Sequence, residues 1–235
     1  MHGSGQGGIA HPLDWRQRIV SRLEKTRPRH AMEDWLTPGL SWEEGRVLRA
    51  YLPVTPIPAA VLIPLVERPE ELTVLLTQRA SQLKHHAGQI SFPGGRIEPE
   101  DAGPREAALR EAYEEIGLDA RFVTVIGYLT DHILLTGFRV TPVVAFVRPG
   151  FELLLDSREV EDTFEVPLSH VFEPANHRSQ QRRFRGVSNE YAVWDIQYEG
   201  RNIWGATAGM LVNLYRLCVA EDAGTIRELR GLPGE

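Results

Sequence analysis

Glu111, Glu114 and Glu115 stand at i, i+3 and i+4 in the run Arg110-Glu111-Ala112-Tyr113-Glu114-Glu115-Ile116-Gly117. If this run is helical, the three carboxylates fall within an arc of about 100°. Such a face is unfavourable by itself. Like charges at these spacings repel by roughly 0.2–0.5 kcal/mol a pair, and the last turns of a helix carry the negative end of its macrodipole. Lysines would serve a merely solvated surface better. A divalent cation relieves both effects, and hard oxygen ligands suit Mg2+ or Mn2+. The competing reading is a solvated acidic face neutralised by Arg105 and Arg110.

The loop ahead of this run favours the cation. Phe92-Pro93-Gly94-Gly95 is a tight turn whose glycines let backbone come close to a ligand. A diphosphate needs that approach, together with cations that offset its charge. The expected chemistry is attack of water on phosphorus, with cations polarising phosphoryl oxygens and stabilising the leaving phosphate. Arg110 is placed to orient Glu111 through a bidentate pair. Glu98, in the same loop, is a candidate for the metal shell. Glu159 and Asp162 are candidates for a further ligand or a base from a distant loop, set against a solvated face for the acid-rich run 159–165. His85 and His86 point to opposite faces if extended, so they do not form a joint ligand pair. Arg182, Arg183 and Arg185 read as a solvated basic loop, and Tyr113 and Trp204 as core.

These side chains need a scaffold. Pro104 suits a first helical turn and Gly117 a C′ position, so the spacing predicts a helix over 104–116 with Ala108, Leu109, Ala112, Tyr113 and Ile116 on its buried side. Strands are predicted at 59–66 and 72–77, joined as a hairpin by the polar turn 67–71, and at 121–128, 138–147, 160–166 and 191–198. An amphipathic helix is predicted at 13–25 and a last helix at 206–220. Strands on both sides of a mid-chain helix, with another helix at the end, argue for an α/β or α+β sandwich. Residues 1–53 read as an N-terminal extension whose first ten residues are disordered, 54–220 as the main domain, and 221–235 as a tail.

Composition restricts the function classes. The 235 residues are 42% hydrophobic and 25% charged, with 26 Lys plus Arg against 32 Asp plus Glu and a net charge of −6. That balance lacks the basic footprint of a nucleic-acid binder. No apolar run approaches the length of a membrane span, and the Gly-rich N-terminus lacks a signal pattern. Cys218 is the single cysteine, which excludes an intrachain disulfide and fits a reducing compartment; it reads as a core filler. A cytoplasmic protein is expected, and a homodimer is left open.

The stretch from Gly95 to Leu118 resembles a Nudix box: Gly, five residues, an acid, seven residues, then Arg-Glu-apolar-x-Glu-Glu-x-Gly-apolar. Asp101 takes the place of the first acid, usually Glu, and eight residues separate it from Arg110. In the family that acid steadies the loop. Upstream, Leu75-Leu76-Thr77-Gln78-Arg79, Lys84, Gly88 and Phe92-Pro93-Gly94-Gly95 are similar to the signature of the coenzyme A diphosphatase branch, which usually has Arg where Lys84 stands. A box with one extra residue and an Asp also resembles that branch. Further matches lie at 141–144, 159–168 and 203–208, so the resemblance covers about Pro56 to Leu217.

The resemblance implies the Nudix α/β/α sandwich with a mixed central sheet. It implies an enzyme that hydrolyses coenzyme A or acyl-coenzyme A to 3′,5′-ADP and 4′-phosphopantetheine. Glu111, Glu114 and Glu115 would hold Mg2+ or Mn2+ with help from the Gly95 carbonyl, and Arg110 would complete the catalytic set. Arg79, Lys84, Gly94 and Gly95 would bind the substrate. Another nucleoside diphosphate derivative, such as ADP-ribose or a dinucleotide, is the alternative substrate. A Nudix-like regulator without turnover would be expected to lose box glutamates or gain a DNA-binding domain, and this chain keeps all three.

Overall fold

The computed structural model describes residues 12–28, 55–83, 86–134, 136–183 and 190–220. At its centre lies β1 (Ile57–Glu67), apolar and buried on both faces from Ala59 to Val66 apart from a half-buried Val61. A strand covered on both sides reads as a continuous apolar run rather than an alternating one. β1 runs parallel to β7 (Phe138–Val147) in unbroken register from Ile57↔Phe138 to Val66↔Val147. Its other neighbour is β2 (Leu72–Arg79), an antiparallel hairpin partner, and the connecting turn is closed by Arg68 N–H donating to the Glu71 carbonyl at 3.2 Å. β8 (Val160–Pro167) pairs with β2, and β5 (Val123–Tyr128) and the short β6 (His132–Ile133) pair with β7.

One irregularity in this mixed sheet creates the site. β1 and β2 pair only at Leu65–Glu67 with Leu72–Val74 and then diverge. The segment 90–96 fills the fork: β3 (Ile90–Ser91) pairs with β2, and β4 (Gly94–Arg96) pairs with β1. Leu62 N–H donates to the Pro93 carbonyl at 2.9 Å between them.

Helices cover both faces because successive residues of the central strands point to opposite sides. Against one face packs α2 (Pro104–Ile116), whose Ala107, Ala108, Ala112 and Ile116 meet Ala60, Leu62, Leu75, Val143 and Ala145. The opposite face carries α1 (Pro12–Leu23) and α4 (Gly205–Val219), with Ile19, Leu23, Leu211 and Leu214 in one cluster with Ile63, Leu65, Leu76 and Val144. The short α3 (Leu168–Val171) leads into a separate antiparallel sheet of β9 (Arg178–Arg183), β10 (Glu190–Tyr198) and β11 (Arg201–Trp204). No helix among the described residues is long and apolar enough to cross a membrane.

The predicted helix at 104–116 has the predicted ends, Pro104 in its first turn and Gly117 left-handed at φ 69°. Its faces differ from expectation. Tyr113 is 61% exposed whereas Glu115 is 4% exposed. Ala108, Ala112 and Glu115 stand at i, i+4 and i+7 of one stripe, so the stripe that meets the sheet carries one of the three glutamates with it. Cys218 is buried in the α4 core as read from the sequence. Arg182 and Arg183 lie in β9 rather than in a loop, because β10 offers them an antiparallel edge. Residues 1–11, 29–54, 84, 85, 135, 184–189 and 221–235 lie outside the described residues, and with them the predicted disordered N-terminus, the tail, Lys84, His85 and Arg185.

Candidate metal centre

The fork between β1 and β2 sets two glycines against acidic side chains. A Cβ on Gly94 would come within 2.6 Å of Val61 Cα on β1, and one on Gly95 within 2.5 Å of Glu111 Cδ. Backbone of β1 blocks any Cβ at Gly94, whereas at Gly95 a Cβ would have to push the Glu111 carboxylate aside. Gly94 N–H donates to Glu115 Oε2 at 3.2 Å. The carboxylates of Glu111 and Glu115, about one helical turn apart, therefore rest on consecutive residues of the turn.

Both carboxyls are pushed toward their neutral forms. Burial is the main cause at Glu115, raising it to about 8; the Gly94 N–H and Arg79 pull it down, while Glu111 and Glu159 push it up. Burial likewise raises Glu111, opposed by Arg110 and reinforced by Glu114 and Glu159. Glu159 thus adds its charge to both carboxyls from the segment leading into β8. Arg79, at the end of β2, places Nη1 3.8 Å from Glu115 Oε1. Its buried Nε has no hydrogen-bond partner among the described residues.

Arg110 organises the outer side. Its fork closes on Asp101, with Nε donating to Oδ1 at 3.1 Å and Nη2 to Oδ2 at 2.9 Å. Nη1 donates to Glu111 Oε1 at 2.9 Å and to Glu114 Oε2 at 3.0 Å, and Nη2 also reaches the Arg96 carbonyl at 3.1 Å. The bidentate partner expected at Glu111 is therefore Asp101, and Glu111 receives a single bond. A carboxylate at residue 101 faces the guanidinium plane across the loop, whereas Glu111 approaches from its own helix and can meet only one nitrogen. Asp101 also accepts the Glu98 N–H at 2.9 Å, and the Arg110 hydrogen bonds hold its carboxyl below the usual range. The box's irregular acid ties loop to helix.

The remaining predicted residues divide. Glu114, with 57% of its side chain exposed, is tied to Arg110 on the rim, and Glu98 is exposed in the turn. Asp162 is bound by Arg201 Nη2 at 2.7 Å and accepts its neighbour Thr163 N–H. It pairs across strands with Gln78, one residue from Arg79 and so on the opposite face. That position removes Asp162 from the carboxylate cluster, because strand alternation sends it toward the α4 side. Arg201 carried no sequence signal; only the packing of β11 beside β3 brings it within reach of Gln78 and Asp162.

Among the described residues, no three Asp, Glu, His or Cys side chains stand at metal-ligand spacing. Arg110 spans Glu111 and Glu114, while Gly94 N–H and Arg79 hold Glu115. The donor set nonetheless fits a hard divalent cation: two partly desolvated carboxyls with raised pKa lie against a glycine backbone with no room for Cβ. Oxygen donors of this kind suit Mg2+ or Mn2+.

Residues 56–185 match the model of the NUDIX domain. The chain is 41% identical over 156 residues to the uncharacterized Nudix hydrolase NudL of Enterobacter sp. (strain 638), covering 66% of this chain and 80% of that one. It is 43% identical over 156 residues, with the same coverage, to NudL of Salmonella paratyphi B. A crystal structure of the Nudix hydrolase RenU of M. smegmatis is 25% identical with a TM-score of 0.43, covering 50% of this chain and 74% of that chain. With a family match over more than half its length and relatives above 40% identity, the chain belongs to the Nudix family, hydrolases of nucleoside diphosphate derivatives that generally use divalent cations such as Mg2+ or Mn2+.

Proposed function

We propose that this Nudix hydrolase cleaves the diphosphate of coenzyme A or an acyl-coenzyme A, releasing 3′,5′-ADP and the corresponding 4′-phosphopantetheine. The observation that carries the reading is Arg79. It is the basic residue of the upstream signature similar to the coenzyme A branch, and it stands 3.8 Å from Glu115 with Nε uncommitted. A guanidinium in that place suits a phosphate oxygen, since its planar donors pair with oxyanions in a fork. Lys84, the second basic position of the signature, lies outside the described residues.

Glu111, Glu115 and Glu114, with the Gly95 carbonyl, would hold Mg2+ or Mn2+, which when bound polarises phosphoryl oxygens and lowers the pKa of bound water. Arg110 keeps Glu111 and Glu114 oriented while Asp101 anchors Arg110. Arg79 orients the diphosphate. The water oxygen bonds to one phosphorus, the bridging oxygen leaves with the electron pair of the broken bond, and Glu159 takes the water proton. Glu159 is assigned that role because it acts on both Glu111 and Glu115 from a different segment. Glu98 contributes through its backbone bond to Asp101. The chain's single cysteine, buried Cys218, can form no intrachain disulfide, which supports a reducing compartment such as the cytoplasm as the setting of this activity.

Incubation with Mg2+ or Mn2+ and a panel of coenzyme A, acyl-coenzyme A, ADP-ribose and dinucleotides, with products identified by mass, tests the substrate. Turnover of ADP-ribose without coenzyme A would overturn it. Glu114→Gln should lower turnover about a hundredfold, the scale of losing one charge-stabilising group, with an unchanged melting temperature. Activity near wild type in that variant would refute the metal assignment.

A further inference from the structure

β2 and β8 run in regular register through Thr77↔Thr163 and Gln78↔Asp162, and the next pair is Arg79↔Val160. Glu161 is the extra residue of a bulge, a device that re-aims side chains beside a site. The bulge sits directly before Arg79. Beyond it Ala80 N–H donates to the Glu159 carbonyl at 2.8 Å, and Arg79 N–H to the Gln89 carbonyl at 2.9 Å. The irregularity therefore lies beside Arg79, whose backbone it joins to the start of β8.

On the opposite face, one side chain from the separate three-stranded sheet spans the last regular pair. Arg201 donates from Nη1 to Gln78 Oε1 at 3.0 Å and from Nη2 to Asp162 Oδ2 at 2.7 Å. Its guanidinium carbon lies 4.2 Å from the Phe164 ring centroid, stacked on the residue two beyond Asp162. The planar fork thus holds one acceptor on each strand while lying on an aromatic face. Without it, the strands could slip at the bulge, and a slip of one residue turns every following side chain to the other face.

We propose that Arg201 is a positioning residue, clamping Gln78 to Asp162 across the bulge so that Arg79 stands over the Glu111–Glu115 centre. This rests on the reading that Arg79 meets the diphosphate of the substrate. Arg201 itself touches no reacting group. It acts through the strand pair, and lysine cannot replace it because an ammonium lacks the planar fork.

The test is a double-mutant cycle in the full chain with Arg201→Ala, Arg79→Ala and the double variant, plus Arg201→Lys. Rates are measured on whichever panel compound the wild type turns over best. Arg201→Ala should lower kcat/KM by about tenfold to a hundredfold, the scale of a misplaced positioning group, and split the change between kcat and KM as Arg79→Ala does. The double variant should be no slower than Arg79→Ala alone, and Arg201→Lys should recover little. Effects that multiply in the double variant, or an Arg201→Ala rate near wild type, would overturn the clamp even if the melting temperature fell. Should the wild type turn over nothing in the panel, the functional reading fails by itself. The cycle is then read as affinity for α,β-methylene-ADP with Mg2+ by calorimetry, where independent effects, or no binding by the wild type, overturn the clamp.

Discussion

Glu115 should make the metal-free protein lose stability as pH rises. Its carboxyl is raised from 4.5 to about 8 in the folded state, chiefly by burial, so the folded protein holds this proton more tightly than the unfolded chain. That stability is fully present below 4.5 and is lost as pH rises through about 8. His132 acts in the opposite sense. Burial lowers it from 6.5 to about 4, so its contribution is present above 6.5 and is lost as pH falls toward 4. The two oppose each other between 4.5 and 6.5, and only Glu115 of the pair acts above 6.5. From pH 6.5 to about pH 9, unfolding free energy in EDTA should fall by about 2 kcal/mol, at 1.36 kcal/mol for each pKa unit. Urea denaturation at a series of pH values measures this. Glu115→Gln should abolish the fall. Saturating Mg2+ should flatten it in the wild type, because a coordinating carboxylate must be ionised, and should add about 2.7 kcal/mol at a hundredfold excess over Kd. A slope that persists in Glu115→Gln, or a flat profile for the wild type in EDTA, would refute the reasoning.

Two further variants probe the same assembly. Asp101→Asn replaces one of two acceptor oxygens with a donor facing Arg110 or the Glu98 N–H; it should cost about 1–2 kcal/mol of stability by urea denaturation and weaken Mn2+ binding about tenfold, and unchanged Mn2+ affinity would show that Asp101 does not support the centre. Gly95→Ala puts a methyl against the Glu111 carboxylate; Mn2+ binding followed by electron paramagnetic resonance should be lost while the far-UV circular dichroism is kept, and wild-type affinity in this variant would place the cation elsewhere.

Local chemistry made much of the frame legible. Pro104 and Gly117 bracket α2 because one suits a first turn and the other tolerates a left-handed backbone. The apolar runs at 59–66 and 138–147 announce strands, which the structure buries on both faces, and the glutamate spacing announces a site for charge. The short strands β3, β4, β6, β9 and β11 were not legible. They are two to six residues long and exist because a longer strand offers them an edge, which no periodicity encodes.

By itself, the sequence pointed to an encounter of the glycine turn with the box glutamates, since the turn leads into their helix. The structure brings Glu111 and Glu115 to the glycines and leaves Glu114 on the rim. Tertiary structure alone decided how they meet. Packing against the sheet turned Glu115 inward and Tyr113 outward, because the stripe begun by Ala108 and Ala112 takes up residue 115 rather than 113. The fork between β1 and β2 laid the glycines against the acids, and the fold of the loop gave the Arg110 guanidinium to Asp101 instead of Glu111. Strand alternation sent Asp162 away from the cluster and into the reach of Arg201, 39 residues along the chain. Partners so distant are chosen by the pairing of whole strands, and that choice leaves no local mark in the sequence.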